Sequence, residues 1–252
     1  MITITHLATG STGNAILVNS DMAGMILLDC GIGIKQIKKG CGNRLSALRG
    51  CLVSHEHLDH SLSVPHLLSY GVPVVASRGT WKEMLGRNSS MSPPGSKGLL
   101  AMPGVWGRVG PWRVYPFLLA HDAREPVGYL LQTGDERILW ATDTAYLPLN
   151  PDIPAVDYVI LECNYDSETM AANVGIGKIS AKQRDRVLSA HMGLLEVQTW
   201  LRGADKSRLR EVHLIHLSES NANEALILER AREACGVPVY VAQKKGRAIG
   251  LS

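Results

Sequence analysis

Short apolar runs, each ending in a polar turn rich in potential ligands, set the rhythm of this chain. Residues 2–7 alternate apolar and polar side chains as a strand does, and Gly10-Ser11-Thr12-Gly13-Asn14 breaks the run. Residues 15–18 and 25–28 flank a turn at 21–24, so the opening predicts a meander of β-hairpins. Asp29-Cys30-Gly31 closes the third strand, and Ile34 and Ile37, three apart, predict a short helix over 34–39. Residues 51–54 read as a buried strand that feeds His55-Glu56-His57-Leu58-Asp59-His60, and 58–70 has helical spacing that Pro65 divides. Further strands are expected at 74–76, 113–119, 127–132, 137–141, 158–161, 212–215, 237–241 and 248–251. Helices are expected at 80–85, 180–190, 194–201 and 223–235, while polar, Pro- and Gly-bearing 88–98 reads as a mobile surface loop. Strands cluster in each half and are followed by helices, which predicts one domain over 1–252 with two packed sheets and helices outside them.

Composition adds bounds to this picture. A hydrophobic fraction of 45% and a charged fraction of 19% are those of an ordinary globular protein and exclude a disordered or fibrous chain. The net charge of +3 is mild, but basic residues gather in Lys35-Lys38-Lys39-Arg44, Lys206-Arg208-Arg210 and Lys244-Lys245-Arg247, clusters that suit a phosphate-rich ligand or a solvated face. Five scattered cysteines without a C-x-x-C pair read as reduced thiols. No apolar stretch reaches the length of a membrane span and no export signal opens the chain, so a cytoplasmic protein without a membrane partner is expected.

The chemistry concentrates in the loop at 55–60. His55 and His57, two apart on extended backbone, can face one ion, and Asp59 and His60, where the loop turns into a helix, can face a second. A centre for two divalent ions needs about seven protein donors, and the others are available at later strand ends: His121, Asp143 and His216. Asp143, with two carboxylate oxygens, is the candidate bridge. His6, His66 and His213 read as surface or packing residues, His213 because it faces away from His216 along one strand.

This constellation resembles the metallo-β-lactamase superfamily. The Gly10–Asn14 turn, His121-Asp122-Ala123, Thr142-Asp143-Thr144, Glu162-Cys163-Asn164-Tyr165-Asp166 and His216-Leu217-Ser218 look like its YycJ-type branch, and they are similar to the wider ribonuclease Z group of phosphodiesterases. The resemblance implies an α+β fold, a four-layer αββα sandwich, with a dinuclear centre at one edge. It places His55, His57 and His121 on one ion, Asp59, His60 and His216 on the other, and Asp143 between them. It also implies a glutamate and histidine pair outside the metal shell, Glu162 and His191, the histidine contacting the scissile phosphate. His191 suits a helix C-terminus equally well. The chain departs from the branch at His191-Met192-Gly193, where His-Leu-Ser is usual, and at Tyr165, where a histidine is common.

The expected chemistry is hydrolysis of a phosphodiester, in nucleic acid or a cyclic nucleotide. Two ions roughly 3.5–4 Å apart supply a hydroxide that Asp59 orients, and His191, oriented by Glu162, protonates the departing oxygen. Imidazole and carboxylate donors suit zinc, with manganese as the alternative. A thioester hydrolase of the glyoxalase type shares the ligand set, and a metal-bound scaffold without turnover is the rival from another class. A homodimer face near 30–50 follows only by analogy.

Overall fold

A computed structural model of the chain describes residues 1–88, 91, 97–149 and 153–242. They form two compact units, one of residues 1–118 and 123–136, the other of 119–122 and 137–242.

In the first unit, β1 (Ile2–Ala8), β2 (Ala15–Ser20) and β3 (Gly24–Leu28) make the antiparallel meander. The alternation in β1 buries Ile2, Ile4 and His6. After α1 (Ile34–Gly40) come β4 (Leu48–Leu52), α2 (Leu58–Ser61), α3 (Val64–Ser69), β5 (Val74–Ser77), α4 (Arg78–Arg87) and β6 (Gly98–Ala101). Strands β3 to β6 run parallel and in order, so their carboxyl ends share an edge, the usual place for a ligand in such a sheet. Helix α1 seals this sheet with Ile37, and Trp81 of α4 is buried in the same core. Pro65 opens α3, because a residue without an N–H and with a ring on its nitrogen fits a first turn and breaks an interior one, and the expected helix over 58–70 is accordingly two. An antiparallel group, β7 (Gly107–Val109), β8 (Trp112–Leu118) and β9 (Val127–Thr133), completes the unit.

In the second unit, β10 (Glu136–Ala141), β11 (Tyr158–Glu162), β12 (Glu211–Ile215) and β13 (Val239–Val241) pair in parallel, with Ala141 opposite Leu161 and Glu162 opposite Ile215. Strand β11 is buried at every position, as a parallel strand covered on both faces must be. The helices are α5 (Ser167–Gly175), α6 (Ala181–Ala190), α7 (Leu194–Gly203) and α8 (Glu224–Cys235). Ser180 and Gln183 form a capping box at the start of α6, and Gly236 ends α8 at φ 74°.

The expected elements recur within a few residues, with three differences. Strand β4 begins at Leu48 instead of Cys51, because Leu48 pairs across to Met25 of β3. Helix α5, absent from the sequence reading, is capped by the Asp166 side chain on Thr169 N and buries only Met170 and Asn173, too little to show an apolar stripe. Strands β6 and β7 are short additions. The strand expected at 248–251, the cluster Lys244-Lys245-Arg247 and most of the loop expected at 88–98 lie outside the described residues. Among the described residues no helix is long and apolar enough to cross a membrane.

Candidate metal centre

The first unit carries four of the predicted ligands at the carboxyl end of β4. The His55 loop is held by its backbone: Asn14 N donates to Asp59 O at 2.7 Å, and Cys30 N donates to His60 O at 2.8 Å. Gly31 packs so closely that a Cβ there would overlap the Asp59 carbonyl, which is why the turn after β3 needs glycine. His55 Nε2 lies 3.0 Å from His57 Nδ1, and His60 Nε2 lies 3.5 Å from Asp59 Oδ2. His55 Nδ1 is 3.0 Å from Ser54 Oγ. The buried His60 ring is fixed from both sides, with Nδ1 at 2.6 Å from Asp29 Oδ2 and the Asn14 amide 3.1 Å from Nε2. An acceptor at Nδ1 and a donor facing Nε2 select one tautomer, with the lone pair on Nε2. Burial pushes the Asp29 carboxyl above its ordinary value, and His60 and Ser54 pull against it.

The second unit carries the other three. Asp143, Glu162 and His216 all leave the carboxyl ends of parallel neighbours. The segment bearing His121 is tied beside Asp143 by Ala120 N on Thr144 Oγ1 at 3.0 Å and Ala145 N on Ala120 O at 2.8 Å. His121 Nδ1 donates to Ala190 O at 3.0 Å, leaving Nε2 toward Asp143 Oδ2 at 3.7 Å. Burial lowers the His121 pKa against the pull of Asp143, so the ring is neutral and able to ligate. Asp143, Glu162, His191 and His216 each offer a donor atom within 4.8 Å of the others.

Glu162, fully buried, organises this group. Its Oε1 lies 2.6 Å from His191 Nδ1 and 2.8 Å from His216 Nδ1, and its Oε2 accepts Thr144 N at 2.9 Å and Met192 N at 3.3 Å. Burial opposes its ionisation, but the charge and hydrogen bonds of His191 and His216 outweigh burial and hold the carboxyl below its ordinary value. Burial alone would depress His191, yet Glu162 raises it to about 9. His191 is both the residue that caps the end of α6 and the partner of Glu162.

Three positions on these loops have left-handed backbone: Asp29 (φ 55°), the partner of His60, and the candidate ligands Asp143 (φ 37°) and His216 (φ 57°). Such conformations cost about 1 kcal/mol or more away from glycine and persist where surrounding bonds fix them. The donor set fits divalent cations: imidazoles with one nitrogen anchored and the other offered, beside carboxylates, are the ligands of zinc and acceptable to manganese.

Sequence reasoning missed Asp29, whose only signal is an acid at a strand exit, and Asn14, visible only as part of a turn. Two of the positions at which the chain departs from the family pattern, Tyr165 and Gly193, are in contact. Gly193 bridges Tyr165, Leu194 N donates to Tyr165 O at 2.8 Å, and a Cβ at residue 193 would overlap the Tyr165 ring. With tyrosine at 165, any side chain at 193 would have to displace that ring. His213 is buried beside Glu211 and Tyr240, a packing residue as expected, while His66 is exposed and His6 buried.

The chain has relatives among known proteins. A family profile described as the Beta-lactamase superfamily domain matches residues 25–217. The chain is 28% identical to a protein named Exodeoxyribonuclease YycJ from Bacillus anthracis, over 97% of this chain and 90% of that one. Among solved structures, the metallo-β-lactamase fold protein YhfI from Bacillus subtilis superposes with a TM-score of 0.73 at 18% identity, covering 97% of this chain and 98% of that one. The short form of human tRNase Z superposes with a TM-score of 0.65 at 16% identity, covering 100% of both. The fold is the α+β metallo-β-lactamase fold, as the resemblance implied.

Proposed function

The chain belongs to the metallo-β-lactamase superfamily of metal-dependent hydrolases, and from that premise we propose that it is a cytoplasmic phosphodiesterase acting on nucleic acid, one hydrolase domain over 1–252 that works with two divalent ions. His55, His57, Asp59 and His60 of the first unit and His121, Asp143 and His216 of the second are the proposed ligands, with zinc as the metal and manganese as the alternative. When bound, such ions lower the pKa of a shared water and offset charge on the phosphate oxygens.

The observation that carries the phosphodiester reading is the pair of Glu162 and His191. Glu162 anchors Nδ1 of His191 at 2.6 Å, which leaves Nε2 as the second nitrogen of a side chain 18% exposed, whereas Glu162 itself is 0% exposed. A histidine held in this way can donate a proton to a leaving oxygen and be reprotonated from solvent. Asp59, 27% exposed, is the acid placed to orient the attacking water, and it doubles as a ligand. The similarity to a nuclease named YycJ supports the same substrate class.

The test compares two leaving groups. Loss of p-nitrophenolate from bis-p-nitrophenyl phosphate needs no proton, whereas loss of a nucleotide alkoxide does. His191→Ala is expected to slow oligonucleotide cleavage by about 10²–10⁴ and bis-p-nitrophenyl phosphate hydrolysis far less. Unchanged cleavage of the oligonucleotide, or equal loss on both, rejects the acid role.

A further inference from the structure

Charge is distributed unevenly over this chain. Residues 30–51 contain Lys35, Lys38, Lys39, Arg44 and Arg49 and no Asp or Glu, a net +5 against +3 for the whole, so the remainder is net −2. All five side chains are exposed. The other described basic run is used within the fold: Arg208 and Arg210 converge on buried Asp157 at 3.2 and 3.3 Å, and Lys206 Nζ caps the end of α7 on Leu201 O at 3.2 Å. Arg49 lies against Gly24 and Gly110, away from the end of β4 that carries the histidines.

Lys35, Lys38 and Lys39 are different. On α1 they stand at i, i+3 and i+4 and share the face opposite buried Ile37. Among the described residues none of the three has a carboxylate within ion-pair distance. Like charges at this spacing destabilise a helix, and the helix dipole compensates only Lys38 and Lys39 in the last turn, leaving Lys35 at the unfavourable end. Local stability therefore does not account for the trio, but a polyanion lying along it does. Its position supplies the reason, because α1 begins just after the Gly31 turn packed on Asp59 O. Four residues span no more than about 14 Å, so Lys35 is within that reach of Gly31, and Lys39 stands about 6 Å further along the helix.

We propose that Lys35, Lys38 and Lys39 form a phosphate track on which the backbone of a polymeric nucleic acid lies while one of its phosphodiesters occupies the site at Asp59. This rests on the phosphodiesterase reading and narrows it to substrates long enough to touch Asp59 and all three lysines at once. The same charge density opposes a symmetric second copy on this face, where each lysine would meet its own kind.

The test is Lys35→Gln/Lys38→Gln/Lys39→Gln in the zinc-loaded protein, read by fluorescence anisotropy with labelled twenty-nucleotide phosphorothioate oligo-dT and its ribose counterpart. Three phosphate contacts on a single strand carry a salt slope of about 2.1, so the affinity ratio of parent to variant is expected to shrink about twentyfold between 50 and 200 mM salt. Dinucleotide binding and bis-p-nitrophenyl phosphate hydrolysis are expected to stay at parent values. Equal affinity of parent and variant for both twenty-mers, or a loss that extends in equal measure to the dinucleotide, overturns the track. If the parent hydrolyses no phosphodiester at all, the activity reading fails, while anisotropy still decides the track.

Discussion

Asp29→Asn isolates the contribution of a residue that touches no substrate. Asp29 Oδ1 accepts Ser54 N at 2.8 Å, and Oδ2 sits 2.6 Å from His60 Nδ1. Asparagine has one acceptor for these two duties. If its carbonyl keeps Ser54 N, its amide faces His60 Nδ1 and drives the ring to the tautomer with the proton on Nε2, where the lone pair is needed. If the amide flips, it confronts Ser54 N donor to donor. Loss of such an orienting partner costs 10–100-fold in metal affinity, about 1.4–2.7 kcal/mol. Competition with a chromophoric chelator for zinc measures it. Folding gives the control: thermal melting of the metal-free variant beside the parent separates a loss of zinc affinity from a loss of the fold. Zinc affinity within twofold of the parent would falsify the orienting role.

Two further outcomes follow from the second unit. In metal-free protein the His191 ring is expected to titrate near 9 by NMR and Glu162→Gln to bring it down sharply; because the folded value of His191 exceeds the unfolded 6.5 and that of Glu162 lies below the unfolded 4.5, the stability from this pair is whole between 4.5 and 6.5, is lost as pH rises through about 9, and is lost again as pH falls through the lowered Glu162 value. Gly193→Ser is expected to cost about 1–3 kcal/mol in urea denaturation through overlap with Tyr165, and Tyr165→His in that background to recover most of it, whereas additive losses would show that the two positions are independent.

How much of this was visible in the sequence depends on the range of the interaction. His55, His57, Asp59 and His60 are close in sequence and follow an apolar run, so a local reading finds them. Asp143 and His216 could be found because each follows a run of buried residues, and His121 because it follows the alternating strand β8. Asp29 could not, since its role needs the parallel pairing of Leu28 with Leu52, which brings together residues 25 apart in sequence. Glu162 appeared only through family resemblance, because a glutamate ending a strand gives no sign of the two imidazoles that reach it from positions 191 and 216.

The left-handed residues show why the site resists a propensity-based reading. Asp29, Asp143 and His216 each leave a strand at φ between 37° and 57°, where β-branched side chains are excluded and Asp, Asn and His are tolerated. The chemistry and the backbone thus select the same residue types, and composition at a strand exit cannot separate a turn former from a ligand. What separates them is the bond that holds the turn. Asn164 Nδ2 donates to His216 O at 2.9 Å, Thr144 N to Glu162 Oε2 at 2.9 Å, and Ser54 N to Asp29 Oδ1 at 2.8 Å. Each strained exit is braced from a neighbouring strand end, so its conformation is fixed by partners 18 to 52 residues away. Asn43, the fourth such residue among those described, sits in the turn after α1 with φ 63° and donates its N–H to Lys38 O at 2.8 Å. Its brace is only five residues away and belongs to the turn itself, which marks it as a helix terminator and sets it apart from the other three.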